Sequence, residues 1–144
     1  MTMSRQDWLL LALALRGGLP MTPVQIQKAM FLMGAEAKEY VGHGFYKFVP
    51  YNYGPFASDV YTDLESLASR GLVTSSATGR GWKIYTITPF GLTASEKFKV
   101  SSNDTAVAFL ERVVDWVCSL SFPALLRAIY AKYPKYKANS VFTG

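Results

Sequence analysis

The sequence predicts an α+β fold that is mostly helical, with a short β-strand, a β-hairpin and a closing pair of helices. Two observations carry this. Apolar residues return at helical spacing in stretch after stretch, among them Ile26, Met30, Met33 and Ala37, then Val60, Leu64 and Leu67. One segment, Trp82 to Thr88, alternates instead, and it follows the Gly-rich turn Thr78-Gly79-Arg80-Gly81.

The 144 residues suit one domain over 1–144, with a core over about 5–98 and a helical extension over about 103–134. Half the residues are hydrophobic and 17% are charged, which excludes a charge-rich disordered chain. A single Cys excludes an internal disulfide, and one Cys with one His speaks against a zinc centre. No metal and no cofactor are expected. The longest apolar run, Trp8 to Leu15, is eight residues against the roughly twenty of a spanning helix. With Asp7 inside its basic flank, Arg16 closing it and no small-residue cleavage site after it, it reads as a buried helix rather than a signal peptide. The expectation is a cytoplasmic protein with no membrane partner.

Each element has local signals. Ser4 is placed to cap the first helix, Asp7 lies in its first turn where a carboxylate favours the dipole, and Gly17-Gly18 ends it. Thr22-Pro23-Val24-Gln25 opens the second helix with a cap, a proline at the first position and a capping-box glutamine; this helix should end before Gly42. Phe45 to Val49 alternates as a short strand stopped by Pro50. Gly54-Pro55 breaks the chain and opens a third helix from about Phe56 to Arg70, with Gly71 as its stop. On that helix Asp59, Asp63, Ser66 and Arg70 form the stripe opposite the apolar one. Leu72-Val73-Thr74 and Trp82 to Thr88 pair as a hairpin, and Pro89 starts a short helix to about Phe98. Ser101 to Asp104 is the linker. Val107, Leu110, Val114 and Val117 then mark a fifth helix capped by Asn103 or Asp104, and Phe122 to Tyr133 a sixth, stopped at Pro134.

Helix, helix, strand, helix, hairpin and helix is the order of a winged-helix module. Leu64 to Val73 resembles the end of a winged-helix third helix running into the wing, and Tyr85-Thr86-Ile87-Thr88-Pro89-Phe90-Gly91 resembles the strand and turn that close such a wing in bacterial regulators. More specifically, Gln25-Ile26-Gln27-Lys28-Ala29-Met30-Phe31-Leu32 with Tyr53-Gly54-Pro55-Phe56 resembles the Panacea, or SocA-like, antitoxin domains and their uncharacterised winged-helix relatives. These carry a lysine-containing amphipathic helix followed by a Tyr-Gly-Pro turn. The resemblance spans about 22 to 91, and its Asp63 to Val73 stretch is closer to the winged-helix relatives. It implies an antitoxin-like interaction module of a bacterial or phage-linked system, with a protein partner such as a toxin, or a second copy of the chain. It supplies no catalytic residues.

The residues themselves point the same way. His43, between Gly42 and Gly44, has no carboxylate motif beside it, and Cys118 lies in an apolar helical stretch that would not activate a thiol. Thr78-Gly79-Arg80-Gly81 lacks the Lys-Ser/Thr ending of a phosphate-binding loop. The chain is therefore expected not to be an enzyme. The main alternative is a DNA-binding transcriptional regulator. Yet the helix that would enter the major groove carries Asp59, Asp63 and Glu65 against Arg70, and carboxylates repel phosphates. Some twenty residues and a strand also separate it from the preceding helix, where a helix-turn-helix has a short turn.

The net charge of +5 sits elsewhere. Arg80 and Lys83 occupy the wing, and Lys132-Tyr133-Pro134-Lys135-Tyr136-Lys137 interleaves cations with rings in a way that would suit phosphate contact with base stacking. DNA binding would thus use Arg80, Lys83, Lys132, Lys135 and Lys137. The same tail has a plainer reading, in which Lys132 complements a helix end and the tyrosines cover the core. Between Phe45 and Phe56 stand six aromatics, more than a small domain readily buries. Tyr51, Tyr53 and Phe56, with Asp59 and Asp63 of the acidic helix, are the expected partner-binding residues.

Overall fold

A computed structural model of the chain describes residues 3–101 and 103–143. The first helix, α1 (Arg5–Ala14), is the centre of the fold: every side chain from Trp8 to Ala14 is at most 3% exposed. A helix that is apolar on all sides is stable only when surrounded, and α1 is surrounded by α4 (Ser58–Ser69), β4 (Lys83–Ile87), α5 (Pro89–Ser101) and α6 (Asp104–Ser119). Ser4 caps it, and Asp7 does more than favour the dipole: its carboxylate accepts the Ser4 N–H, closing a capping box.

The second helix, α2 (Pro23–Glu36), starts with the expected Thr22/Gln25 capping box. It breaks at Ala37, and the remaining turn is a separate helix, α3 (Lys38–Val41). The sequence-based strand over Phe45 to Val49 is corrected. Phe45 and Tyr46 are buried loop residues, and the strand is β1 (Val49–Tyr51), which runs through Pro50 and pairs with β2 (Gly54–Phe56). Pro50 faces Pro55 in the antiparallel register. Two residues without an N–H can sit opposite each other only at a non-hydrogen-bonded pair, so neither proline disrupts this two-stranded hairpin. Gly54-Pro55 accordingly belongs to a strand and does not open the next helix. That helix, α4, begins at Ser58 and stops before Gly71.

The wing is the antiparallel pair β3 (Val73–Ala77) and β4, in unbroken register from Val73 opposite Ile87 to Ala77 opposite Lys83. Met21, between α1 and α2, adds a further bridge to Tyr85 through two backbone bonds of 2.9 and 3.0 Å, which the sequence does not signal. Thr88 locks the end of the wing: its hydroxyl donates to the Gly71 carbonyl at 2.7 Å and accepts the Gly91 N–H at 2.9 Å. Glycine is required at 91, because a Cβ there would lie 2.1 Å from the Leu72 carbonyl oxygen.

α5 runs on to Ser101, and α6 begins at Asp104 with Asn103 as its cap. The linker therefore shrinks to a point, part of which (Ser102) lies outside the described residues. α6 packs along α2, and its Leu110, Val114 and Val117 are fully buried in the same core as α1. The C-terminal helices thus complete the core. α7 (Phe122–Lys132) and a 3-10 turn over Pro134–Lys137 finish the described fold against β1 and β2. Among the described residues, no helix is long and apolar enough to cross a membrane.

Candidate partner-binding site

The fold brings together the two motifs that carry the resemblance. Along α2, Gln27 and Lys28 are polar residues at 3% exposure in an otherwise apolar surround, and both reach the segment from Gly54 to Ala57. The Gln27 amide clamps Ala57 from both sides: Nε2–H donates to the Ala57 carbonyl and Oε1 accepts the Ala57 N–H, each at 3.0 Å. Lys28 Nζ donates to the Pro55 carbonyl at 3.1 Å. These bonds hold the β1–β2 hairpin and the start of α4 onto α2. Burial disfavours the charged amine and lowers the Lys28 pKa to about 7.

Beside Lys28 is a cavity of about 150 Å3 between α2, the hairpin and Tyr61 of α4. Aromatic rings frame it. Tyr51 stacks on Phe56 with centroids 4.8 Å apart, and Phe56 meets Tyr61 at 5.8 Å. On the other side Tyr53 meets Phe122 edge-on at 5.4 Å, and Phe122 meets Phe142 at 5.9 Å. Tyr51, Tyr53 and Phe122 are 50%, 45% and 41% exposed, so each presents a large face to solvent. Gly54, at φ +91°, lets the hairpin approach Lys28; its α-hydrogen side lies in contact with the Lys28 and Tyr130 side chains, and a Cβ would sit 3.4 Å from each. The chain after the 3-10 turn straps the hairpin, with the Val141 N–H donating to the Asn52 carbonyl at 2.9 Å and Tyr130 Oη–H to Ser140 Oγ at 2.7 Å. Beyond Phe142, a wider groove of about 590 Å3 is lined by Arg127, Tyr130, Lys137 and Phe142.

Of the expected partner-binding residues, Tyr51, Tyr53 and Phe56 are therefore gathered at one place, with Phe56 half-buried as the stacking base. The two acids are not part of it. Asp63 is 3% exposed and turned into the protein, where it accepts from Tyr46 Oη (2.6 Å), Arg5 Nε (2.9 Å) and Gln6 Nε2 (3.1 Å). The physical reason is that the start of α1 crosses this stripe of α4, so Asp63 serves as an internal tie. Burial, and then the bond to Asp63, push the Tyr46 hydroxyl pKa well above its ordinary value. Asp59, one turn earlier, is exposed and paired with Arg5 Nη1 at 3.2 Å.

The basic residues divide between elements. Arg80 and Lys83 are exposed at the wing. Lys132 pairs with Glu36 at 3.2 Å, and Tyr133 Oη bonds the same carboxylate. Lys135 and Lys137 are exposed on the 3-10 turn, but its aromatic neighbours face inward: the rings of Tyr133 and Tyr136 each sit 4.8 Å edge-on from Phe31, and Tyr136 is buried. Those rings cover the core and are not free to stack on bases.

Burial raises the Cys118 pKa, which leaves its thiol a poor nucleophile. His43 is an exposed loop residue. The sequence reading passed over Lys28 and Gln27 as site residues, although two adjacent polar residues inside the run from Ile26 to Met33 were the available signal. Phe122, Tyr61 and Phe142 carried none, since only packing brings them to the hairpin. Compared with known proteins, the chain matches no family model and no curated protein sequence.

Proposed function

We propose that this chain is a non-catalytic interaction module of a bacterial or phage-linked, antitoxin-like regulatory system. It works in the cytoplasm by binding a protein partner through the β1–β2 hairpin. The observation that carries this reading is the pair of half-exposed rings Tyr51 and Tyr53 at a cavity on a hairpin that the Gln27 and Lys28 bonds fasten to α2, with the half-exposed Phe122 edge-on to Tyr53. Tyrosines held in place lose little further entropy on binding and are favoured interface anchors. The DNA-binding alternative is less well supported. Its groove-facing helix keeps Asp59 and Glu65 exposed, and the tyrosines of the basic tail are engaged with Phe31.

The test is affinity capture with the tagged protein from source cells, comparing wild type with a Tyr51→Ala/Tyr53→Ala variant. Both residues are exposed, so the variant should melt within a few degrees of wild type. Loss of a wild-type partner in a folded variant supports the reading. Equal recovery, together with duplex-DNA affinity that falls steeply with salt, would replace it with the regulator.

A further inference from the structure

Among the described residues two charged side chains are fully buried, Asp63 and Lys28. Asp63 has its counter-ion in Arg5, whereas no ion pair among the described residues includes Lys28. An ammonium group carries three N–H donors, and the Pro55 carbonyl takes one of them. Gln27, the polar neighbour, is committed at both ends to Ala57 and does not compete. Lys28 lines the 150 Å3 cavity and is the one charged residue among the described residues lining it. The rest of the lining is aromatic and apolar in the main, with Tyr51, Tyr53, Phe56 and Tyr61 as its larger members and Val24 from the first turn of α2. That turn is the positive end of the helix dipole.

We propose that this cavity takes a single carboxylate, carried on an acidic side chain of the protein partner, with Lys28 Nζ as its ion-pair partner and the tyrosine and phenylalanine rings covering its methylene stem. The inference deepens the proposed function and rests on the hairpin being the partner surface. One cation in a ring-lined cavity matches one monoanion. A phosphate dianion would find no second cation in the described lining. The adjoining groove, reached along Tyr53, Phe122 and Phe142, sets Arg127 and Lys137 beside the same surface, so the partner face around the inserted carboxylate should be acidic as well.

The deciding experiment is NMR of the whole chain, labelled at lysine and held at about pH 6 where the Lys28 amine is protonated, titrated with N-acetyl-glutamate amide, its glutamine analogue, acetate or phosphate at constant ionic strength. The expected result is a saturable shift of the Lys28 signals with the glutamate probe, and a response at least tenfold weaker with the glutamine analogue. The proposal is overturned if the two probes act alike, if the shifts fall on Lys135 and Lys137 instead, or if acetate or phosphate saturates the site and the glutamate probe does not. This titration needs no variant. A Lys28→Met protein that still melts cooperatively adds the second arm: it should lose both the probe and the partner that wild type captures. A partner kept by Lys28→Met and lost by Tyr51→Ala/Tyr53→Ala leaves the hairpin interface standing and removes this inference. A partner kept by the tyrosine variant, while Lys28 still saturates with the glutamate probe, removes the interface and with it the assignment of the carboxylate to a partner.

Discussion

Because Lys28 is buried with its pKa lowered from 10.5 to about 7, the stability of this protein should depend on pH in a range where most proteins are indifferent. Below about pH 7 the amine is protonated in both the folded and the unfolded chain, and it adds no slope. Between about 7 and 10 the unfolded chain holds a proton that the folded chain has lost, so stability rises with pH by up to about 1.4 kcal/mol per unit. Over two units that is roughly 2–3 kcal/mol, a large part of the 5–15 kcal/mol that holds a typical domain together. At 3% exposure the side chain has little solvent to screen this effect. Above about pH 10 the sign reverses. Burial raises the pKa values of Tyr46, Tyr61 and Tyr85 in the fold, so the unfolded chain loses those protons first and stability falls. The expected curve peaks near pH 10. Urea unfolding at a series of pH values, followed by circular dichroism, measures it directly. Lys28→Met should flatten the rise and keep the fall. A flat wild-type curve between about pH 7 and 9.5, or the same rise in Lys28→Met, would refute the reasoning.

Other perturbations follow from the same contacts. Asp63→Ala should destabilise the protein by about 1.5–3 kcal/mol in urea unfolding, because the buried Tyr46 hydroxyl would lose its carboxylate acceptor, while Arg5 would keep only the exposed Asp59. Tyr46→Phe, which removes only one donor, should cost about 1.5–3 kcal/mol by the same measurement. Gln27→Ala orphans the buried Ala57 N–H, while the Ala57 carbonyl keeps the Val60 N–H at 3.1 Å; a loss of about 1–3 kcal/mol is expected, with faster amide exchange at Ala57. Gly91→Ala places a methyl 2.1 Å from the Leu72 carbonyl and should lower the melting temperature sharply, whereas Gly79→Ala at the open wing turn, where nothing lies within 4 Å, should cost only the strain of its positive φ. Nonspecific duplex DNA, followed by anisotropy across salt concentrations, should show no steep salt dependence.

The parts of the fold that are legible in the sequence are those decided within a few residues. The caps at Ser4, Thr22 and Asn103 satisfy helix N–H groups from side chains three positions away or fewer, so the local string suffices. The wing reads from its alternation and its Gly-rich turn, and the burial of α1 from an unbroken apolar run. Pro50 and Pro55 misled for an equally local reason: each is a strand breaker alone, and only their pairing shows that no hydrogen bond is lost.

The candidate site was half legible. Tyr51, Tyr53 and Phe56 stand out in the sequence as surplus aromatics beside a Gly-Pro turn, and that surplus is what the sequence offers toward the proposed interface. Which of the neighbouring polar residues belong to it was decided by tertiary packing. Asp59 and Asp63 share a helical stripe, yet α1 crosses over one and leaves the other in solvent. Lys28 looks like any surface lysine until the hairpin folds across it and removes its water. Tyr133 and Tyr136 look free to stack until Phe31 takes both rings. Helical and strand periodicities follow from backbone geometry and are written into neighbouring residues. The exposure of a charge or a ring depends on which distant element lies above it, and that is settled only when the whole chain closes on its core.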